Sequence, residues 1–384
     1  MKKYLFFEHE FARAAAILAG AIIGAGIFSV PFVFASSGIL VASVVFAVVA
    51  CIVLLLHLMF TEVVERTEGT YRLVGYANHY FGPLGKVVIS VSAVLGTTGA
   101  LVAYLLVGSS FLSFLVSPFG FSTTGVLLGF WFTMALGIVL GMKSIARVDA
   151  ILVGLLVALL SILILWGAPL VEPNNLSVAH WDKVLVPFGV ALFALIGFPV
   201  IPSIRDVVGT HGPRWKKAIF VGTLVPIVLT YLFGVVVVGV SGENTSPEAL
   251  SGLVPYMGHG ILAVGAFVGL LAIVTSFFAF GTYLRDTLRV DWKMSAPLAD
   301  ALTVGAPILL IQAGATSIVD VLTFVGAVFG AIDGTMVVLL FARAKEKGTR
   351  RPYFDFDIPT VIQLLVIAAL VFGGVYSLLR IGVG

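Results

Sequence analysis

Apolar runs of roughly 20 residues recur from one end of the chain to the other, each long enough to cross about 30 Å of hydrocarbon. The pattern predicts spans at about residues 13–36, 39–61, 86–116, 121–141, 148–168, 184–208, 217–240, 258–284, 297–313, 317–342 and 359–380. The polar gaps between them alternate in character. With the N-terminus in the cytoplasm, Lys2, Lys3, Arg66, Arg72, Lys143, Arg147, Arg205, Lys216, Lys217, Arg285, Arg343 and the other basic residues of the even-handed gaps fall inside. Of the 22 Lys and Arg residues only Lys183 and Arg380 fall outside. Basic residues concentrate on the cytoplasmic side of membrane helices, so the bias predicts the N-terminus inside and the C-terminus outside, with the chain in the cytoplasmic (plasma) membrane.

The connections differ in kind. Gly38 turns span one straight into span two. Residues 71–81 read as a short amphipathic helix on the membrane surface, ended by the turn residues of 81–85. No linker or low-complexity tract interrupts the chain, which predicts a single transmembrane domain over residues 1–384.

Composition adds exclusions. Hydrophobic residues make up 60% of the 384 and charged residues 11%, so the lipid bilayer is the solvent and the net charge of +3 bears on topology, not on nucleic acid. Cys51 is the one cysteine, which excludes an internal disulfide and a cysteine-based metal cluster. The first apolar run is too long and too free of a cleavage site to be a removable signal. The histidines at 9, 57, 79, 180, 211 and 259 are scattered, and neither a paired metal-ligand motif nor a phosphate loop is present. An enzyme and an ATP-driven pump are therefore not expected.

Two spans are broken where a helix should be most regular. In the first, residues 20–31 crowd Gly20, Gly24, Gly26 and Pro31 into the middle of the run. Each glycine weakens helix by roughly 1 kcal/mol relative to alanine. Non-helical backbone at bilayer depth persists only where it is buried in protein or lines a polar cavity. The bland alternative is close packing, since Gly20 and Gly24 also form a small-xxx-small pair. The second break is in span six, where Pro199 removes a donor and disfavours helix at Phe198, with Gly197 beside it. An offset of five spans reverses orientation in the membrane. Breaks at spans one and six are the pattern of two inverted repeats, about 13–168 and 184–342, with a site between them at the midplane and an extra helix at about 359–380.

Residues 24–31, Gly-Ala-Gly-Ile-Phe-Ser-Val-Pro, followed by Gly38, resemble the first helix of amino acid permeases of the amino acid–polyamine–organocation superfamily. Residues 76–85 resemble the cytoplasmic segment after the second helix of those proteins. Residues 193–203 and 274–278 are most similar to the amino acid/auxin and aromatic amino acid permease branches. The likeness runs in span order over nearly the whole chain. It implies an all-α polytopic membrane protein of the leucine-transporter (LeuT) type, with a 5+5 inverted repeat, broken helices one and six, and an eleventh helix. It also implies a secondary active transporter that imports an amino acid by alternating access. A proton-coupled symporter, an exchanger and a non-transporting amino acid sensor are the alternatives.

An amino acid zwitterion needs fixed partners once it leaves water. The outer half of span one begins near Gly26, Ile27 and Phe28, where unpaired N–H groups and a positive helix end suit the carboxylate; the missing Cβ at Gly24 and Gly26 lets the ligand approach the backbone, and Ile23 and Ala25 complete the candidate stretch. Carbonyls around Phe193, Ala194 and Gly197 suit the ammonium, and side chains near Phe198 and Ser29 would shape the side-chain pocket. The family analogy adds the hydroxyl of Tyr104 as a carboxylate donor; a tyrosine packed with its OH on the backbone is the alternative. No evident charge faces this pocket, so a neutral L-amino acid is expected. In span eight, the Ala272 carbonyl and the Thr275 and Ser276 hydroxyls share a helical face and suit an alkali cation. Hydroxyls bonded to the preceding turn would look the same. In sodium-coupled members of the fold this spacing faces two carbonyls of the broken first helix, which match Gly20 and Ile23 here. The resemblance thus implies a sodium ion and no organic cofactor. Ile27 stands where a second sodium ligand occurs in some relatives, which argues for one ion. Asp333, inside span ten, is a candidate proton or gate residue. His57 reads as a packed neutral histidine. Glu62, Arg205, Asp206, Arg285 and Asp286 lie near the inner helix ends, where an inner-gate ion-pair network is possible.

Overall fold

The computed structural model describes residues 2–69, 71–141, 149–208, 213–353 and 355–381. Lys143, Arg147 and His211 lie outside the described residues, as do the side chains of Lys2, Lys3, Asp206, Arg214 and Arg380. Among the described residues all regular structure is helical. In chain order the α-helices are α1 (Lys2–Ile22), α2 (Ala25–Ser37), α3 (Ile39–Arg66), α4 (Leu73–Val116), α5 (Thr123–Val139), α6 (Asp149–Gly167), α7 (Pro173–Leu176) and α8 (Val186–Leu195). They continue with α9 (Ile201–Val208), α10 (Pro213–Ser241), α11 (Val254–Met257), α12 (His259–Asp286), α13 (Ala296–Gln312), α14 (Ile318–Phe324), α15 (Ala331–Lys347) and α16 (Thr360–Ile381).

Among the described residues eight helical stretches are long and apolar enough to cross a bilayer, and the bent pair Phe11–Ile22 and Ala25–Ser37 supplies a ninth. The shorter apolar helices α5 and α13, 17 residues each, stand where spans four and nine are expected. The outer surface matches this solvent. Val87, Val91 and Leu95 of α4 and Leu364, Leu365 and Phe372 of α16 are exposed, an apolar surface that suits lipid and not water.

Span one breaks at Gly24 and span six at Gly197, whereas Gly20, Gly26 and Pro31 lie inside the flanking helices. Span one bends by 54° between α1 and α2. Gly24 is extended at the junction (φ −133°, ψ −153°). In span six, helix stops at Leu195, Ile196 and Gly197 are non-helical, and a 3₁₀ turn over Phe198–Val200 leads into α9. A third irregularity was not expected. Between α14 and α15 the chain widens into a π-helical segment, Val325–Gly330. Close backbone approach accounts for its composition: a Cβ at Gly326 would fall on the Gly189 carbonyl oxygen of α8.

The 71–81 segment holds the expected short helix: the first part of α4 runs to Gly82, whose backbone is non-helical (φ 66°, ψ −156°), and the long membrane-crossing part of α4 restarts at Pro83. Leu73, Val74, Tyr76 and Ala77 of the short helix are buried in the protein while Asn78 and His79 are exposed, so the amphipathic face serves the core and not the membrane surface.

The packing joins corresponding halves of the chain. α2 lies on α8, α3 on α10, and α4 on α12. Two apolar clusters result, one containing Leu18, Ile22, Ala194 and Phe198, the other Ile23, Ala25, Tyr104 and Ala272. They meet at the breaks, where Phe193 packs against both.

Candidate functional site

A cavity of about 290 Å³ lies where the two broken spans face each other. Span one contributes Ala21, Ile22, Gly24 and Gly26; span six contributes Phe193, Ile196, Gly197, Phe198 and Pro199. The wall is completed by α4 (Ser92, Gly96, Thr97, Ala100, Tyr104), α12 (Ala279, Phe280, Tyr283) and the π-helical segment (Val325, Gly326, Phe329), with Asp333 just beyond it. From Ser92 to Tyr104 is twelve residues of helix, about 18 Å along the axis at 1.5 Å per residue. The cavity is therefore elongated. One pole lies at Gly24 and Tyr104; the other reaches Ser92 and Asp333 and continues to Arg72 and Ser203 at the basic helix ends.

At the first pole, a Cβ on Gly24 would lie 3.4 Å from the Tyr104 hydroxyl and 3.7 Å from Ser276 Oγ, so three candidate residues converge there. The Tyr104 side chain also interacts with that of Ser276, and its ring lies 5.6 Å from Phe280. Gly24 carries no side-chain cap for α2; the Ile27 N–H donates to the Gly24 carbonyl at 3.4 Å, and the N–H groups of Ala25 and Gly26 have no preceding helical turn to accept from them. Gly26 also lines the cavity, but its missing Cβ leaves room for α8: a Cβ there would be 2.7 Å from Ala194 Cα.

Other candidates are placed elsewhere. Ile23, Ala25, Ile27 and Ala194 are buried in the packing around the breaks and do not line the cavity. Phe28 makes edge-to-face contacts with Phe111 (4.8 Å between centroids) and Phe233 (6.0 Å). Ser29 is buried, and its Oγ has no hydrogen-bond partner among the described residues. Thr275 Oγ1 donates to the Ala272 carbonyl at 2.9 Å. Gly20 packs against Val153 of α6. The hydroxyls of Thr275 and Ser276 thus part company: the first turns back on its own helix, the second meets Tyr104 and Gly24.

Asp333 Oδ1 is buried without a hydrogen-bond partner among the described residues, although the Ser92 side chain faces the carboxyl. Among the described residues, the charged side chains at the basic ends form local groups. Arg285 pairs with Asp300. Arg205 donates to the Val64 carbonyl at 2.8 Å. Glu62 accepts from Arg66 at 2.7 Å, and Asp355 lies 2.8 Å from both Arg66 and Lys345. Lys345, then Arg66, hold the exposed Asp355 carboxyl below the usual carboxylate range.

Of the α4 lining only Tyr104 was a candidate in the sequence, although a signal for the rest was there: Ser92, Gly96 and Ala100 precede it in an i, i+4 row of small residues. The π-helical wall carried no such signal, because its register depends on the Gly189–Gly326 approach.

The sequence profile of the tryptophan/tyrosine permease family matches residues 8–377. The chain belongs to the tryptophan/tyrosine permease family. This permease is 23% identical over 377 residues to the tyrosine-specific transport system 1 of Haemophilus influenzae, covering 92% of this chain and 94% of that one. It is 22% identical over 347 residues to glutamine transporter 2 of Aliivibrio fischeri, covering 87% and 89%. Among solved structures, a manganese transporter of Eremococcus coleocola superposes with a TM-score of 0.64 over 97% of the permease and 87% of that chain. At 12% identity that likeness shows the fold alone. Permeases and transporters, not enzymes, are the company this chain keeps.

Proposed function

We propose that the permease imports a neutral aromatic amino acid through the cavity between its two broken spans, by alternating access and with sodium as the coupling ion. The observation that carries the reading is the convergence of both breaks on one cavity lined by Tyr104, Phe193, Phe198, Phe280, Tyr283 and Phe329. Aromatic walls suit an aromatic side chain, and the helix start at Gly24 suits a carboxylate. The relatives named for tyrosine and for glutamine share a neutral side chain. The packing of α2 on α8, α3 on α10 and α4 on α12 supports the reading of two inverted five-span repeats.

Radiolabelled tyrosine should accumulate in proteoliposomes under an inward sodium gradient. Absence of uptake under any imposed ion gradient, with tyrosine bound, would identify a sensor. Asp333 supports a second coupling route, since its carboxyl lines the same cavity with an unpartnered oxygen. Uptake driven by a proton gradient and indifferent to sodium would select that route.

Orientation has its own test. In a Cys51→Ser background, cysteines placed in 241–258 should label from outside the cell and those in 344–350 only after permeabilisation. Labelling of both from one side would end the orientation and the inverted-repeat reading with it.

A further inference from the structure

His57 lies on α3, fully buried, where that helix meets the span-six break and α10. The Gly197 N–H donates to His57 Nε2 at 2.9 Å. An amide N–H has no acceptor capacity, so Nε2 is the bare nitrogen and Nδ1 carries the proton. Nδ1 lies 2.8 Å from Thr223 Oγ1. The Thr223 hydroxyl proton is committed to the Ile219 carbonyl at 2.8 Å, so its oxygen accepts from Nδ1. Three bonds therefore run in one direction, from the break through the imidazole to α10, and each donor has an acceptor.

This chain of bonds alters the break. Helix α8 stops at Leu195, and the last bond of its ladder is from the Ile196 N–H to the Leu192 carbonyl at 3.1 Å. In a continued helix the next N–H, that of Gly197, would return to the Phe193 carbonyl. It goes to His57 instead, which leaves the Phe193 carbonyl without its helical donor. Phe193 lines the cavity beside Gly26. Pro199, with no N–H, cannot restore the ladder further on.

We propose that His57 is a positioning residue for substrate recognition. Its imidazole stands in for a main-chain carbonyl toward Gly197, and so frees the Phe193 carbonyl to accept from the ammonium of the amino acid. This rests on reading the cavity as an amino acid site. The ammonium–carbonyl bond is charge-assisted, so its loss is large compared with that of a neutral bond. The role also explains why a buried polar ring is kept in an apolar crossing beside Phe198, 6.3 Å between ring centroids.

The test compares two probes, L-tyrosine and 3-(4-hydroxyphenyl)propanoate, which lacks only the ammonium. Binding of each is measured on purified full-length protein for the parent, His57→Leu and His57→Gln. The parent should prefer tyrosine. His57→Leu should weaken tyrosine by about tenfold or more, while the propanoate changes by less than about twofold. His57→Gln, whose amide oxygen can accept from Gly197, should recover most of the preference. Equal losses for both probes, or no loss for tyrosine, would overturn the role of His57 alone. A parent that binds tyrosine no better than the propanoate would overturn the ammonium site, and this proposal with it. If His57→Leu does not fold, Thr223→Val replaces it: without that acceptor the ring is no longer held in the Nδ1–H tautomer, and the preference for tyrosine should narrow in the same sense.

Discussion

Gly24→Ala should lower the affinity for tyrosine by about tenfold to a hundredfold, the loss expected when charge-assisted hydrogen bonds to a carboxylate are blocked. The added methyl would meet the Tyr104 hydroxyl at 3.4 Å and Ser276 Oγ at 3.7 Å, tight to ordinary contact, and the backbone there is extended with a negative φ. The variant should therefore fold while its methyl occupies the approach to the start of α2. Gly26→Val is the more obvious choice from the sequence, and the structure argues against it. Its Cβ would lie 2.7 Å from Ala194 Cα and 3.0 Å from the Phe193 ring, so it would wedge α2 away from α8. Loss of binding there would report the separation of two helices as much as a blocked carboxylate. Equilibrium binding together with a melting curve separates the two cases. A Gly24→Ala protein that melts like the parent and binds tyrosine equally well would remove the carboxylate from this end of the cavity.

Thr275→Ala should abolish most of the stimulation of tyrosine binding by sodium, while affinity without sodium changes by less than about twofold. The reason is the division of labour between neighbouring hydroxyls. Thr275 Oγ1 and the Ala272 carbonyl, 2.9 Å apart, form a pair of hard oxygens on α12. Ser276 faces Tyr104 and Gly24. Ser276→Ala should accordingly weaken tyrosine binding with or without sodium, because it removes a partner of the Tyr104 side chain. Linkage is reciprocal, so tyrosine must raise sodium affinity in the parent by the factor by which sodium raises tyrosine affinity. Titrations in sodium and in choline at fixed pH measure both. A parent indifferent to sodium, with uptake driven by a pH gradient, would move the coupling role to protons. Asp333→Asn would then be expected to uncouple uptake, as it removes a titratable oxygen at nearly constant shape.

Periodicity and composition alone determined that this chain is a polytopic helical membrane protein, because lipid leaves the backbone few other ways to satisfy its hydrogen bonds. The two breaks were legible for a related reason: Gly24, Gly26, Gly197 and Pro199 disfavour helix wherever they stand. What those residues face was not legible. Only the fold decided that Gly24 opens onto Tyr104 while Gly26, two residues on, mainly makes room for Ala194. The sequence places Thr275 and Ser276 on one face, yet adjacent positions differ by about 100° around a helix, and packing against α4 sends only Ser276 toward Tyr104. His57 is the clearest case. As a residue type in an apolar run it reads as a packed neutral ring, and it is buried as expected. Its acceptor role toward Gly197 depends on a contact 140 positions away in the chain. Local propensity can break a helix, but the partner that takes the released N–H comes from whichever helix the tertiary structure brings alongside.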